Sequence, residues 1–307
     1  MINTRPIICS IMYINTQIKA EFCMKKIGFV DYYIDEWHAN NYIKWFENAS
    51  KEPGLDYTVE YAWAYLPEKE GLLSTTEWCR KNGITECATV EELCRKSDNI
   101  LILAPSDPQV HLMLAEKVLP FGKTTYIDKT FAESAETAKA IYALADKYHT
   151  QIFSASALRY ADELCDFAGK EVESVSVTGS GDSLEEYCIH QLEMIVKLVG
   201  IGAKSVNVYS KGIRSMVHIA YENGRMATLS FCKSAKPFSV DVAVKGAGTG
   251  DYREIKSDFF YNLIKDILRF FESNTPPFNR AETLEVIALR DSIIKGLSLP
   301  TGTKIEV

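Results

Sequence analysis

The chain of 307 residues is predicted to be an α/β protein with two parts. Short apolar segments alternate with segments of helical periodicity from residue 26 to residue 154, as in consecutive βαβ units. After residue 156, strand-like segments follow one another across turns such as Glu222-Asn223-Gly224. These patterns predict an N-terminal Rossmann-type, doubly wound parallel sheet and a C-terminal α+β domain with a mainly antiparallel sheet.

The first half alternates strands with helices. Strands are predicted over 26–32, 57–65, 100–103, 124–127 and 151–154, and helices over 36–47, 74–82, 90–96, 110–119 and 135–148. The segment Ile100 to Leu103 is wholly apolar, as expected of a strand buried on both faces. A strand joined to the next by a helical crossover pairs in parallel, so these elements predict one parallel sheet.

The second half of the chain has a different pattern of predicted secondary structure. Strands are predicted over 171–179, 205–210, 216–221, 226–233 and 238–244, and helices over 185–199, 258–273 and 280–297. The glycine-rich segment 246–250 lies between strands instead of opening a helix. A phosphate-binding loop needs the amides of a following helix N-terminus, so this segment is predicted to be a turn.

The sequence predicts the domain boundaries, and its composition argues against several classes of protein. Residues 24–155 and 156–307 are predicted as the two domains, and residues 1–23 as a disordered or mis-started extension, because Met24-Lys25-Lys26-Ile27 is typical of a natural start. The net charge of −7 argues against binding to nucleic acid or to an anionic membrane. Eight cysteines without a C-x-x-C pair and five dispersed histidines predict a cytoplasmic protein without a metal site.

Four stretches carry a family resemblance. They are 97–106 with His111 opening the next helix, 122–130, 156–160 with Arg159, and 187–200. In this order and spacing, from about residue 25 to residue 307, they resemble the Gfo/Idh/MocA family, the relatives of glucose-fructose oxidoreductase and inositol dehydrogenase. Asp128-Lys129-Thr130 stands where that family has Glu-Lys-Pro, and the helix of His190 is similar to the family's His-x-x-Asp helix.

The resemblance implies an oxidoreductase that transfers hydride between NAD or NADP and a sugar, polyol or related small hydroxy compound. It also implies a homo-dimer or homo-tetramer. The implied catalytic residues are Lys129, His190 and Glu193. The implied cofactor-binding residues are Asp31, Tyr32, Tyr33, Tyr65, Pro105, Ser106, His111, Asp128 and Lys129, and the implied substrate-binding residues are Arg159 and Tyr187. His190 and Glu193 lie three positions apart and would share a helix face.

The turn after the first strand argues against ordinary dinucleotide binding. The fingerprint needs three glycines, and Asp31, Tyr33 and Glu36 occupy those positions. The second strand ends at Tyr65 without an acidic residue for a ribose. The alternative prediction is therefore a cofactor-free binding or regulatory protein, or a non-redox sugar-modifying enzyme. The same turn is also a candidate sugar-binding surface, although Trp37 and Tyr42 are predicted to face the core.

Overall fold

The computed structural model describes residues 24–234 and 236–307, and the predicted extension 1–23 lies outside them. The first sheet contains six strands: β1 (Lys25–Asp31), β2 (Tyr57–Ala64), β3 (Thr85–Glu86), β4 (Asn99–Ile102), β5 (Thr125–Ile127) and β6 (Ile152–Phe153). Five helices lie between them: α1 (Trp37–Ala49), α2 (Thr75–Asn82), α3 (Val90–Lys96), α4 (His111–Val118) and α5 (Ala135–Tyr148).

These six strands pair in parallel in the order β3-β2-β1-β4-β5-β6. The order reverses between β1 and β4. In a doubly wound sheet of this order, ligands bind at the carboxyl ends of the strands beside that switch point.

The second sheet contains seven strands: β7 (Val172–Ser180), β8 (Ala203–Lys211), β9 (Arg214–Tyr221), β10 (Met226–Cys232), β11 (Ser239–Val244), β12 (Asp251–Glu254) and β13 (Lys304–Glu306). Three further helices are α6 (Leu184–Val199), α7 (Phe259–Ser273) and α8 (Arg280–Leu297). The strand order is β12-β11-β7-β10-β9-β8-β13, and β7 pairs with β10 in parallel while the other described pairs are antiparallel. The predicted fold class is confirmed.

Helix α7 joins the second half of the chain to the first sheet. Its residues Leu263 and Ile267 are fully buried in the same apolar core as Ile27 and Phe29 of β1. The other face of the first sheet buries Val30 in a core shared with α6 and α8. The first sheet is therefore covered on both faces, and the start of α7 is brought beside α1.

Three short strands were missed by the sequence prediction. β3, β12 and β13 have between two and four residues and lie toward sheet edges, too short for an alternating pattern. The segment 246–250 connects β11 to β12, as the turn prediction requires, and Gly246 and Gly248 have φ values of 78° and 75°. This left-handed conformation favours glycine. Among the described helices, none is long and apolar enough to cross a membrane.

Candidate active site

A cavity of about 680 Å³ lies at the carboxyl ends of β1, β4 and β5. Residues of α6 and of the segment before β11 close its other side, so it is lined from both halves of the chain. Its volume is in the range of small-molecule sites. Of the predicted site residues, it is lined by Asp31, Tyr33, Pro105, Ser106, Asp128, Lys129, Tyr187 and His190. We call this the cleft cavity.

Lys129 and His190 are brought together from different parts of the fold. Lys129 follows β5, and its Nζ lies 3.4 Å from the carbonyl oxygen of Pro105. His190 belongs to α6, and its Nδ1 lies 2.6 Å from Oγ of Ser156. Burial, together with the positive charge of Lys129, lowers the pKa of His190 to about 3. The imidazole of His190 is therefore neutral at pH 7.

Glu193 does not face the cleft cavity as a catalytic residue would. It is buried on α6, where Oε1 accepts the backbone amide of Ser156 at 3.0 Å and Oε2 lies 3.3 Å from Nη1 of Arg159. His190 and Glu193 do share a helix face, but that face meets Ser156. Glu193 thus holds the residue that His190 contacts.

Arg159 is also turned away from the cleft cavity. Its guanidinium is buried, forms ion pairs with Glu193 and Glu282, and lies over the ring of Phe278 at 3.8 Å. Its charge is already matched by two carboxylates. The guanidinium is therefore not available for the predicted substrate contact. Arg159 instead links the segment after β6 to α6 and α8.

His111 has a structural position. It is fully buried, with Nδ1 3.0 Å from the carbonyl oxygen of Phe131 and Nε2 2.5 Å from that of Leu103. Both ring nitrogens are occupied by backbone, so the predicted contact of His111 with a cofactor is not available. Its ring instead ties the segments after β4 and β5 together behind the cleft cavity.

Tyr32 and Tyr65 lie outside the cleft cavity. Their rings stack on one another, with centroids 5.9 Å apart and planes 14° from parallel. Tyr65 follows the last residue of β2 and is 46% exposed. One face of the Tyr32 ring is therefore covered by Tyr65.

The turn between β1 and α1 is filled by carboxylates. Glu36 is the N-cap of α1, and its side chain accepts the amides of His38 and Ala39. Asp31 is fully buried, and within the described residues its Oδ2 has no hydrogen-bond partner. Burial and the nearby Glu36 raise the pKa of Asp31 well above its usual value, and burial raises the pKa of Glu36 to about 7.

This turn does not fit the diphosphate of a dinucleotide. A diphosphate at this place needs free amides at the helix N-terminus and room for close backbone approach. The first amides of α1 are taken by Glu36, and the side chains of Asp31 and Tyr33 line the space where glycines would leave room. The predicted roles of Asp31 and Tyr33 as dinucleotide ligands therefore lack support in the geometry.

Asp128 has an unexpected partner in His38. The carboxylate is fully buried, and its Oδ2 is hydrogen-bonded to Nδ1 of His38. Its Oδ1 accepts the amide of Lys129 at 2.8 Å, with the hydroxyl groups of Tyr126 and Tyr42 at 3.3 and 3.4 Å. Burial alone would raise the pKa of Asp128, but His38 and Lys129 outweigh it and hold that pKa below its usual value.

Aromatic side chains form much of the remaining lining. Trp37 is 54% exposed and lines the cleft cavity, so the prediction that it faces the core is wrong. Tyr42 is fully buried, as predicted. Phe260 of α7 contacts the Trp37 ring with centroids 5.3 Å apart. Sequence patterns gave no sign of this contact, because it joins residues far apart in the chain.

Comparison with known proteins identifies the fold. No protein-family model matches the chain, and no curated protein matches it. Solved structures do. A Sinorhizobium meliloti protein with a provisional myo-inositol dehydrogenase assignment has a TM-score of 0.72 and 16% identity, over 92% of this chain and 100% of that chain. UDP-N-acetylglucosamine 3-dehydrogenase from Acidithiobacillus ferrooxidans has a TM-score of 0.71 and 14% identity, over 89% and 97%.

A third similar structure contains ligands. An oxidoreductase from Agrobacterium radiobacter, solved with NAD⁺, L-tartaric acid and magnesium, has a TM-score of 0.71 and 13% identity, over 92% of this chain and 98% of that chain. Similarity at this level of sequence identity establishes the fold, and the chemistry has to be argued from the residues of the site. The chain therefore has the two-sheet fold of these dehydrogenases along nearly its whole described length.

Proposed function

We propose that this chain is an oxidoreductase that acts on a hydroxyl group of a small sugar- or polyol-like compound in the cleft cavity. The observation that carries the proposal is the meeting of Lys129 and His190 in one cavity at the switch point of the parallel sheet. The solved structures of similar fold, which include a sugar-nucleotide dehydrogenase, support the class of reaction.

Oxidation of a hydroxyl group requires a group that takes its proton. The Lys129 ammonium hydrogen-bonds the substrate oxygen and stabilises negative charge on it. His190 is neutral and offers one ring nitrogen to the substrate while Ser156 holds the other. The exposed ring of Trp37 and the ring of Tyr187 provide flat apolar faces against which a sugar ring packs.

The hydride acceptor that we propose with this reaction is NAD or NADP. The turn between β1 and α1 argues against a dinucleotide, because carboxylates occupy the place where a diphosphate needs free backbone amides. Above about pH 7, where Glu36 is ionised, a like unit charge about 4 Å away would be repelled by about 4 kcal/mol at an effective dielectric constant near 20. Under these conditions a dinucleotide would have to place its diphosphate away from this turn.

A second candidate follows from that disagreement. The N-cap role of Glu36 and the unpaired oxygen of buried Asp31 favour a protein that has no dinucleotide. Such a protein would bind a sugar-like ligand, or would modify it by proton transfer without oxidation. The same cleft cavity and the same Lys129 serve this candidate.

One titration separates the two candidates. Purified full-length chain is examined by absorbance for a retained nicotinamide cofactor, and is then titrated calorimetrically with NAD, NADH, NADP and NADPH. Micromolar binding of any of them supports the oxidoreductase, and a screen of sugars and polyols for reduction of that cofactor follows. Absence of binding and of retained cofactor supports the second candidate.

A homo-dimer or homo-tetramer is also proposed. One face of the second sheet presents Tyr209, Met216 and Met226, which are 45 to 59% exposed. Apolar side chains on an open sheet face favour association with a second copy. The molecular mass in solution, measured by light scattering, tests this proposal, and a monomer would overturn it.

A further inference from the structure

We propose that His38, held by the buried carboxylate of Asp128, is a base that takes a proton from a ligand hydroxyl group in the cleft cavity. The inference deepens the proposed function, because it names a proton acceptor for that site. It requires a hydroxyl-bearing ligand and serves both candidate functions, with or without a dinucleotide.

The two residues are placed by different parts of the first sheet. His38 is the second residue of α1, which follows β1, and Asp128 follows β5 and lies 90 positions later in the chain. Both line the cleft cavity, and the bond between them uses Nδ1 of the ring and Oδ2 of the carboxylate. This leaves Nε2 as the ring nitrogen that is open to a ligand.

Asp128 is arranged to remain ionised. Its other oxygen accepts the amide of Lys129 and lies within reach of the hydroxyl groups of Tyr126 and Tyr42. An ionised carboxylate can only accept hydrogen bonds, so the proton of a neutral His38 ring must be on Nδ1. The unprotonated nitrogen is then Nε2, and Asp128 stabilises the imidazolium that forms when Nε2 takes a proton.

The ring of His38 is fixed in orientation. It stacks on Tyr42, with centroids 5.0 Å apart and planes 20° from parallel, and it meets the edge of Phe260 at 6.1 Å. Its backbone amide is held by Glu36 at 2.7 Å. A general base needs such a fixed position relative to the proton that it removes.

His190 is less suited to this role. Burial lowers the pKa of His190, and the positive charge of Lys129 adds to this effect. The charged and titratable groups around His38 are the carboxylates of Asp128 and Glu36, with Lys129 and His190 on the cavity side. The two imidazoles therefore differ in their partners, because His38 contacts a buried carboxylate and His190 contacts a serine hydroxyl group.

The proton transfer balances without another reactant. The ligand O–H bond breaks, an N–H bond forms at Nε2 of His38, and the electron pair remains on the ligand oxygen. Asp128 stays ionised throughout and is a positioning residue. Lys129 stabilises the resulting oxyanion.

Nitrogen NMR of the full-length protein tests the tautomer directly. At neutral pH the neutral ring of His38 is expected as the Nδ1–H form, which is the minority form of free histidine. Asp128→Asn is expected to lose this fixed tautomer, whereas Tyr126→Phe, which removes a hydroxyl group from the same carboxylate, is expected to keep it. An Nε2–H tautomer in the unaltered protein would overturn the proposal, and that result needs no variant to fold.

Diethyl pyrocarbonate provides a second readout, because it acylates unprotonated ring nitrogens. Peptide mass spectrometry should find His38 modified through Nε2, with the exposed His149 as a reactive reference and the doubly bonded His111 as an unreactive one. In a folded Asp128→Asn protein the modification should slow on the order of tenfold or more. An unreactive His38 in the unaltered protein would overturn the proposal. Failure of dinucleotide binding would affect only the oxidoreductase proposal and would leave both readouts unchanged.

Discussion

Oγ of Ser156 lies 2.6 Å from Nδ1 of His190, and the amide of the same serine donates to Glu193 at 3.0 Å. Two residues in one turn of α6 therefore contact Ser156. Because Ser156 follows the last strand of the first sheet, these two contacts also set the position of His190 relative to Lys129. The geometry of the cleft cavity depends on a serine that the family resemblance had placed in a matching stretch without a role.

Ser156→Ala should weaken catalysis by freeing the His190 ring. We expect a fall in kcat on the order of tenfold. The same hydroxyl caps a short 3₁₀ helix by accepting the amide of Leu158, so a loss of stability of about 1 kcal/mol is expected as well. Steady-state kinetics on the substrate found by the screen measures the effect. Ser154→Ala removes a nearby buried hydroxyl that bonds the carbonyl oxygen of Asp128 and serves as the matched control. An equal fall in kcat in both variants would show that the contact between Ser156 and His190 makes no specific contribution to catalysis.

Lys129→Met should abolish turnover without unfolding the protein. The side chain is only partly buried and its Nζ bonds one carbonyl oxygen, so its removal leaves no unpaired buried charge of its own. A loss of about 10² to 10³ in kcat is expected when the group that stabilises the substrate oxyanion is removed. Lys123→Met, outside the cleft cavity, is the control and should retain full rate. Full activity in the Lys129 variant would remove this lysine from the mechanism.

Arg159→Met should destabilise the fold by about 3 to 5 kcal/mol, because it leaves the buried Glu193 without its cation. Urea unfolding followed by circular dichroism measures the free energy of unfolding. Arg269→Met, at a surface pair with Asp266, should change it by less than about 1 kcal/mol. A stability equal to that of the unaltered protein would mean that the buried ion pair is not formed in solution.

The sequence predicted the parts of this molecule that depend on local pattern. Strand and helix alternation predicted the first sheet. The placement of Lys129 and His190 in one site was implied by the family resemblance, because Lys129 follows a strand and His190 lies within α6, far apart in the chain. The orientation of Glu193 depends on the rotation of α6 against the segment of Ser156, which no periodicity encodes. The pairing of His38 with Asp128 joins residues 90 positions apart, and the burial of both nitrogens of His111 is equally non-local.

Removal of the charges at the β1–α1 turn should improve dinucleotide binding. The double variant Asp31→Asn with Glu36→Gln keeps the size of both side chains and retains an oxygen acceptor for the first amides of α1. We expect NAD or NADP affinity to rise by at least about tenfold, since each tenfold step is about 1.4 kcal/mol and one like-charge contact is worth more. Calorimetry at a pH above 7 measures it. Unchanged affinity would show that the diphosphate, if bound, lies away from this turn.

The stabilising contribution of Glu36 should fall as the pH rises through its titration. Burial raises the pKa of this carboxyl from 4.5 to about 7 in the folded protein. Between these values this carboxyl binds more protons in the folded state than in the unfolded state, so it lowers the free energy of unfolding as the pH rises. Its contribution is complete below about pH 4.5 and is lost as the pH rises through about 7. Asp31, whose pKa is also raised, acts in the same direction.

Glu36→Gln should remove this contribution while it keeps the helix cap. Urea unfolding of the unaltered protein and of the variant at several pH values across this window gives the slope. Glu47→Gln changes an exposed carboxylate on the same helix and should leave the slope unchanged. The slope that remains in Glu36→Gln belongs to other buried groups, among them His190 and Glu193. If the slope is the same in the unaltered protein and in Glu36→Gln, the pKa of Glu36 is not raised in the folded protein. Asp31→Asn tests Asp31 in the same way.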